Sequence, residues 1–315
     1  MSKNILAALF LSLLLGHTRA QFQVSIVHTS IKLLNFYPAG HNQCMMTLAF
    51  NDGPRLTRIV SCLVQKENDH YTFISPLAYL TRHWQTKQLG QITYHYTDNI
   101  NLTRARAFEK NNETIAKKLG LTPEKFDFYL TDNYQEIPPL LGYTYDPERV
   151  GRTRDGSFTS EHQIFAIQHN EDFSHDLIHY YVSKIRTNPR NAAAEEGLAY
   201  YWGNAYYTDS GRNMIDYPAQ LAALKSYMHE HPDTSLLSLF DHNAKPFPAL
   251  APEVSARSIL SARLFQLIEE TRGIEGIKTL LNCGRGDDNY FKTLDTLTAI
   301  NRANFDPRLQ ALLSL

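Results

Sequence analysis

Cysteine is scarce: only Cys44, Cys62 and Cys283 occur in 315 residues, too few for the disulfide scaffold that holds small exported domains together. Long apolar runs are missing beyond the first residues. No later stretch approaches the roughly 20 consecutive apolar residues that a membrane-spanning helix needs, so no membrane span is expected. Neither sign of charge dominates, with 31 basic against 32 acidic residues and a net charge of −1, and no basic run could follow a phosphate backbone. Nucleic acid is therefore not an expected partner. Internal repeats and low-complexity tracts are also absent, so neither a repeat array nor a disordered chain is expected.

The first residues read as a leader. Lys3 precedes an apolar run from Ile5 to Leu15, and Gly16-His17-Thr18-Arg19-Ala20 then puts small residues where a signal peptidase tests them, before Gln21. Residues 1–20 are read as a secretory signal peptide, and release into a periplasm or the medium is expected. No cysteine opens the mature chain to carry a lipid anchor. Export permits a disulfide; Cys44 and Cys62, in neighbouring strand-like runs, could pair and leave Cys283 over, but sequence does not give the separation a bond requires.

With 43% hydrophobic and 11% aromatic residues, the rest has ample material for a core, and its pattern predicts an α+β protein. Residues 21–90 form a β-rich module, with strands at 22–27, 45–50, 56–63 and 71–74. Asn51-Asp52-Gly53-Pro54 makes a hairpin turn between the second and third, and a helix is predicted over 76–86. Residues 91–203 carry strands at 91–96, 126–131, 143–145 and 163–167, a helix over 102–119 ended by Gly120, and helices over 173–186 and 191–202. Asn188-Pro189 stops the first of that pair. From 204 to 315 the chain reads as helical, at 217–230, 253–270, 274–282, 287–300 and 306–314.

Chemistry concentrates in His175-Asp176-Leu177-Ile178-His179 and, seventeen positions later, Glu196 in Glu195-Glu196-Gly197-Leu198-Ala199. Histidines four apart share a helix face, because 3.6 residues make a turn, and a carboxylate from the next helix can join them. With thirteen histidines in the chain, such a pair alone is weak evidence. Here its helix is otherwise apolar, and buried histidines need a partner: a metal, or backbone and tyrosine hydrogen bonds in a core. A register error of one would make Glu195 the third ligand; Glu195 is otherwise solvated or beside the ligands. Tyr200, Tyr201, Tyr206 and Tyr207 are candidates to stabilise an oxyanion, with Tyr206 and Tyr207 favoured because they follow Gly203 in an expected loop. His162, His169 and Asp209 are distant candidates for a fourth ligand closing a structural zinc.

A strand, a His-x-x-x-His helix, a short connection and a Glu-Gly-Leu-Ala helix together resemble the gluzincin metallopeptidases, over roughly residues 91 to 282. The resemblance implies a zincin-like domain with Zn2+ on His175, His179 and Glu196, a peptide or protein substrate, and Asp176 as the general base acting on a zinc-activated water. The chain departs from the family at that base, where the motif has glutamate. A side chain one methylene shorter allows three outcomes: a slow hydrolase, a hydrolase with a resized site, or a zincin-like protein that binds a peptide or glycan without cutting it. The strand at 163–167 is expected to be an edge to which an extended peptide adds.

Overall fold

A computed structural model describes residues 29–40, 42–67, 70–151, 157–158, 162–167, 170–206, 214–251 and 253–314. The leader and the strand expected at 22–27 lie outside them. The architecture is mixed α and β, with a strand-rich amino-terminal region and a helical carboxy-terminal half.

The strand-rich part holds two sheets. In the first, β1 (Thr29–Gly40), β2 (Gln43–Asp52), β3 (Arg55–Glu67) and β4 (His70–Ile74) pair in sequence order, all antiparallel. Gly53, at φ 55°, makes the tight turn from β2 to β3 that the sequence predicted. One face buries Met46, Leu48, Val60, Cys62, Val64 and Phe73. Cys44 opposes Val64 and Cys62 opposes Met46, so the two cysteines are diagonal neighbours, and both are free thiols. Diagonal pairs in a sheet lie about 7–8 Å apart, beyond the usual reach of a disulfide.

After β4 come α1 (Leu77–Leu80), β5 (Gln85–Leu89), β6 (Ile92–Tyr96), α2 (Leu102–Leu119), β7 (Phe126–Thr131), α3 (Ile137–Leu140), β8 (Tyr143–Tyr145), β9 (Ser157–Phe158) and β10 (Gln163–Ile167). The helix predicted over 76–86 is thus only one turn long. Thr81 closes it by donating its hydroxyl to the Leu77 carbonyl, and the polar Gln85-Thr86-Lys87-Gln88 run forms a solvent-facing strand. β8 leaves its sequence neighbours and pairs with β3. The second sheet has the order β5-β6-β7-β10-β9, with β10 parallel to β7. β9 pairs with β10 at Ile164 and Phe165, so β10 is not the open edge expected for peptide addition. Its unbroken Ile-Phe-Ala-Ile run is the pattern of a strand buried on both faces.

The helical half contains α4 (Ser174–Ile185), α5 (Ala192–Gly203), the short pair β11 (Ala205–Tyr206) and β12 (Met214–Ile215), then α6 (Tyr217–Glu230), α7 (Leu236–Asp241), α8 (Ala256–Leu281), α9 (Asp287–Thr298) and α10 (Phe305–Leu313). α8 covers the two helices expected at 253–270 and 274–282, with a break at Gly273, φ 63°. Among the described residues, no helix is long and apolar enough to cross a membrane. Two compact units emerge. One has the described residues up to Gln88 with Thr93–Asn99 and Phe126–Gln168; the other has Leu89–Ile92, Ile100–Lys125 and His169–Leu315. Residues 91–203 contribute to both.

In the helical unit, α5 is the central element. It is buried nearly all round, through Ala193, Ala194, Glu195, Leu198, Ala199 and Tyr200, as expected of a helix enclosed by others. Gly197 lets it approach α8, since a Cβ there would lie 2.4 Å from the Ser261 Cβ. The slim Gly-Leu-Ala surface therefore serves this packing, while Gly203 makes the close approach to the histidine helix.

Candidate metal centre

α4 owes its position to groups on both sides. The Asp172 carboxylate accepts the Ser174 backbone N–H at 3.1 Å and also the Ser174 hydroxyl, fixing the first turn where a capping side chain is needed. Leu177, Ile178, Tyr181 and Val182 face the core, and the Tyr181 hydroxyl donates to Asn112 of α2 at 2.6 Å. That orientation turns His175 and His179 together towards α5. Asn191 caps α5 by accepting the Ala194 N–H at 3.1 Å, which sets the register that points Glu196 at the histidines.

The Nε2 atoms of His175 and His179 lie 3.3 Å apart. Each faces a different oxygen of Glu196, at 3.4 Å from His175 and 3.5 Å from His179. Among the described residues, these three are the group of histidine, cysteine and acidic side chains able to hold a metal ion. Glu195 turns away from the shared point, so Glu196 and not its neighbour completes the set.

The opposite ring nitrogens decide what the cluster can bind. His175 Nδ1 is 2.9 Å from the Asn204 carbonyl, and His179 Nδ1 is 2.8 Å from a Glu195 carboxylate oxygen. Both partners only accept, so each Nδ1 carries the hydrogen and each neutral ring presents a lone pair at Nε2. Two lone pairs and a carboxylate thus converge with no donor among them. A proton relieves this repulsion partly, and a metal cation does so fully.

Electrostatics show the same demand for positive charge. Burial opposes ionisation of His175, but the hydrogen bond that the protonated ring makes to Glu196, the charges of Asp176 and Glu196, and the Asn204 carbonyl together raise its pKa. Burial also favours neutral Glu196; hydrogen bonding to His175, the charge of both histidines and Arg190 outweigh it and bring the carboxyl down to about 2. Glu195 is lowered against its burial by the hydrogen bond to His179 and by Arg190 and Arg186. Arg190 spans the two acids, with Nε 2.8 Å from Glu195 and Nη2 2.8 Å from Glu196.

Asp176 lies in the first turn of α4, half-buried, with its charge acting on His175. Tyr200 packs its ring edge-on to His175, 5.7 Å between centroids. The Tyr201 hydroxyl is hydrogen-bonded to Glu269. Tyr206 pairs through its backbone with Met214 in β11; Tyr207, His169 and Asp209 lie outside the described residues. His162 belongs to the strand-rich unit and packs edge-on to Phe126.

Glu195, weighed in the sequence as a ligand or as a neighbour of the ligands, is the neighbour that holds His179; sequence reasoning missed Arg186, Arg190 and Asn204 as parts of the centre. The signal for Asn204 was its place after a glycine at a helix end. Its backbone, at φ 65° and ψ −179°, occupies a region essentially reserved for glycine, and this turn aims its carbonyl at His175. The chain matches no known protein-family profile, and no curated protein matches it significantly.

Proposed function

We propose that this protein is an exported zinc-dependent hydrolase of gluzincin type that cuts a peptide bond. The observation that carries the reading is the converging set of His175, His179 and Glu196. Ligands on a tetrahedral zinc with bonds of ~2.0–2.1 Å stand roughly 3.3–3.4 Å apart, and the three closest separations here are 3.3, 3.4 and 3.5 Å. Histidines whose far nitrogens donate to a carboxylate and a carbonyl are the usual support of such a centre. Three protein ligands, with no fourth among the described residues, suit a catalytic site more than a closed structural one.

Bound zinc would polarise the scissile carbonyl and lower the pKa of the attacking water. The chain's own residues do the remaining work. Asn204 and Glu195 keep both imidazoles in the tautomer that offers Nε2, and Arg190 holds Glu196 as an anion. Asp176 takes the proton from the attacking water and returns it to the departing amine. Tyr200 restricts the His175 ring, and Tyr206 or Tyr207, in the stretch after α5, supplies the oxyanion donor.

A second reading follows from Asp176 itself: a zincin-like scaffold that binds a peptide or glycan without cutting it. The shorter side chain distinguishes the two, since misplacement of a catalytic group by ~1 Å costs about a hundredfold in rate. Metal content by mass spectrometry comes first, then peptide hydrolysis by the wild type and Asp176→Glu. A rise of about tenfold to a hundredfold in kcat for Asp176→Glu is expected of a hydrolase. No turnover by either protein with zinc bound would favour the binding reading.

A further inference from the structure

The helical unit contains a cavity of about 350 Å³ that shares Glu196 and Tyr200 with the metal centre. Its floor includes Ala192 and Ala193, the first two residues of α5, and Ser255 and Ser258 from the start of α8. Two helix N-termini therefore open on one space. The first N–H groups of a helix lack intrahelical acceptors and carry partial positive charge; Asn191 takes up only the Ala194 N–H of α5 by its side chain, whereas at α8 the Ser255 hydroxyl oxygen accepts the Ser258 N–H and the Ala256 N–H donates to the Ala244 carbonyl, so α5 is the more open of the two.

Side chains in the same wall support anion binding independently. Ser258 is 6% exposed, and its hydroxyl has no partner among the described residues. Arg257 is held in place by Asp287 and by donating Nε to the Phe240 carbonyl at 2.8 Å; its other terminal nitrogen has no partner among the described residues. Lys245 is exposed at the rim and forms no ion pair among the described residues. Glu253 also lines the space and opposes part of this charge.

We propose that this cavity binds a carboxylate of the peptide substrate, seating it on Ser258, Arg257 and the N-terminus of α5, with Lys245 pairing with it at the rim. The inference rests on the peptidase reading. Because Glu196 is both a wall of the cavity and a ligand, a C-terminal carboxylate seated there brings one of the last peptide bonds to the metal. A volume near the lower end of the ~300–1,000 Å³ typical of ligand sites suits one or two terminal residues. The protein would then trim chain ends, with the carboxylate of an acidic side chain as the other possible occupant.

The test is calorimetric binding of an N-acetylated dipeptide as free acid, as C-terminal amide, and as an amide carrying an aspartate side chain. It is run on zinc-loaded and zinc-free full-length protein, wild type and Lys245→Glu, with hydrolysis followed in parallel. The free acid should bind about tenfold tighter than the plain amide in both metal states, as a charge-assisted hydrogen bond warrants. Lys245→Glu should remove most of that preference and Glu253→Gln should enlarge it. Equal binding of the aspartyl amide would keep the subsite and assign it to side chains; weak binding of that amide would assign it to the chain end. Acid and amide binding alike, or a preference untouched by Lys245→Glu, would overturn the subsite even if both peptides are hydrolysed. Acid-selective binding without hydrolysis would keep the subsite and overturn the peptidase reading.

Discussion

Buried polar side chains are divided very unevenly between the two compact units. In the strand-rich unit only Thr131 and Asp146 fall in that class among the described residues, whereas the helical unit buries Asn112, Asn170, Glu171, Asp172, Ser174, Asn191, Glu195, Gln220 and three serines. Burying such groups costs free energy unless each finds a partner. Glu171 accepts the Asn101 N–H at 2.7 Å, Asp172 holds Ser174, and Asn191 donates to the carbonyls of Gly284 and Gly286. Several of these bonds converge on the turns that begin α4 and α5. One unit is stabilised mainly by a sheet core; the other also spends polar burial on aiming a few side chains.

The largest break in this contrast should come from His179→Ala, which takes zinc content from about one per chain to none by mass spectrometry. Next is Gly203→Ala. A Cβ there would lie 2.7 Å from the Ser174 carbonyl oxygen and 2.9 Å from the His175 Cα, so overpacking should cost about 1–3 kcal/mol in chemical denaturation and shift His175 enough to weaken zinc binding. Glu195→Gln keeps a hydrogen-bond acceptor for His179 but removes the charge, and zinc affinity measured by competition with a chelator should fall about 10–100-fold.

A fourth test uses pH. In the zinc-free protein the raised His175 pKa contributes stability below its usual value of 6.5 and loses it as pH rises through the folded value. The lowered Glu195 and Glu196 contribute above their usual 4.5 and lose it as pH falls. Thermal melting should therefore be most favourable between those limits without zinc and move to higher pH with it, since the metal competes with protons for the histidines. The smallest effect is expected in the other unit. Phe36→Ser, on a β1 side chain 54% exposed, should change stability by about 0.5 kcal/mol or less, and zinc binding not at all.

Legibility followed how local the determinants are. Helix 102–119 and strand 126–131 have the bounds read from sequence, because Asn101 caps the helix, Gly120 ends it in the left-handed conformation, and the strand pattern is strong. β1 escaped notice: Leu33, Leu34, Phe36 and Tyr37 are all exposed, so no buried face imposes alternation. The joining of β8 to β3 depends on contacts far along the chain, such as the 2.8 Å bond between the Ser61 and Thr144 hydroxyls. At the candidate metal centre the i, i+4 histidines and the following glutamate were legible from helix geometry. Arg186, Arg190 and Asn204 were not, because their roles depend on how the two helices and the turn after them meet.

The candidate metal ligands lie within one short stretch, from His175 to Glu196, on successive helices, and the groups that orient them end at Asn204. Bringing such near neighbours together needs little loop-closure entropy, whereas the β3–β8 pairing must close a much longer loop. Helix pairing can thus precede that strand pairing during refolding. Zinc would then act as an early staple on the α4–α5 hairpin, visible as faster stopped-flow refolding when the ion is present from the start than when a chelator withholds it.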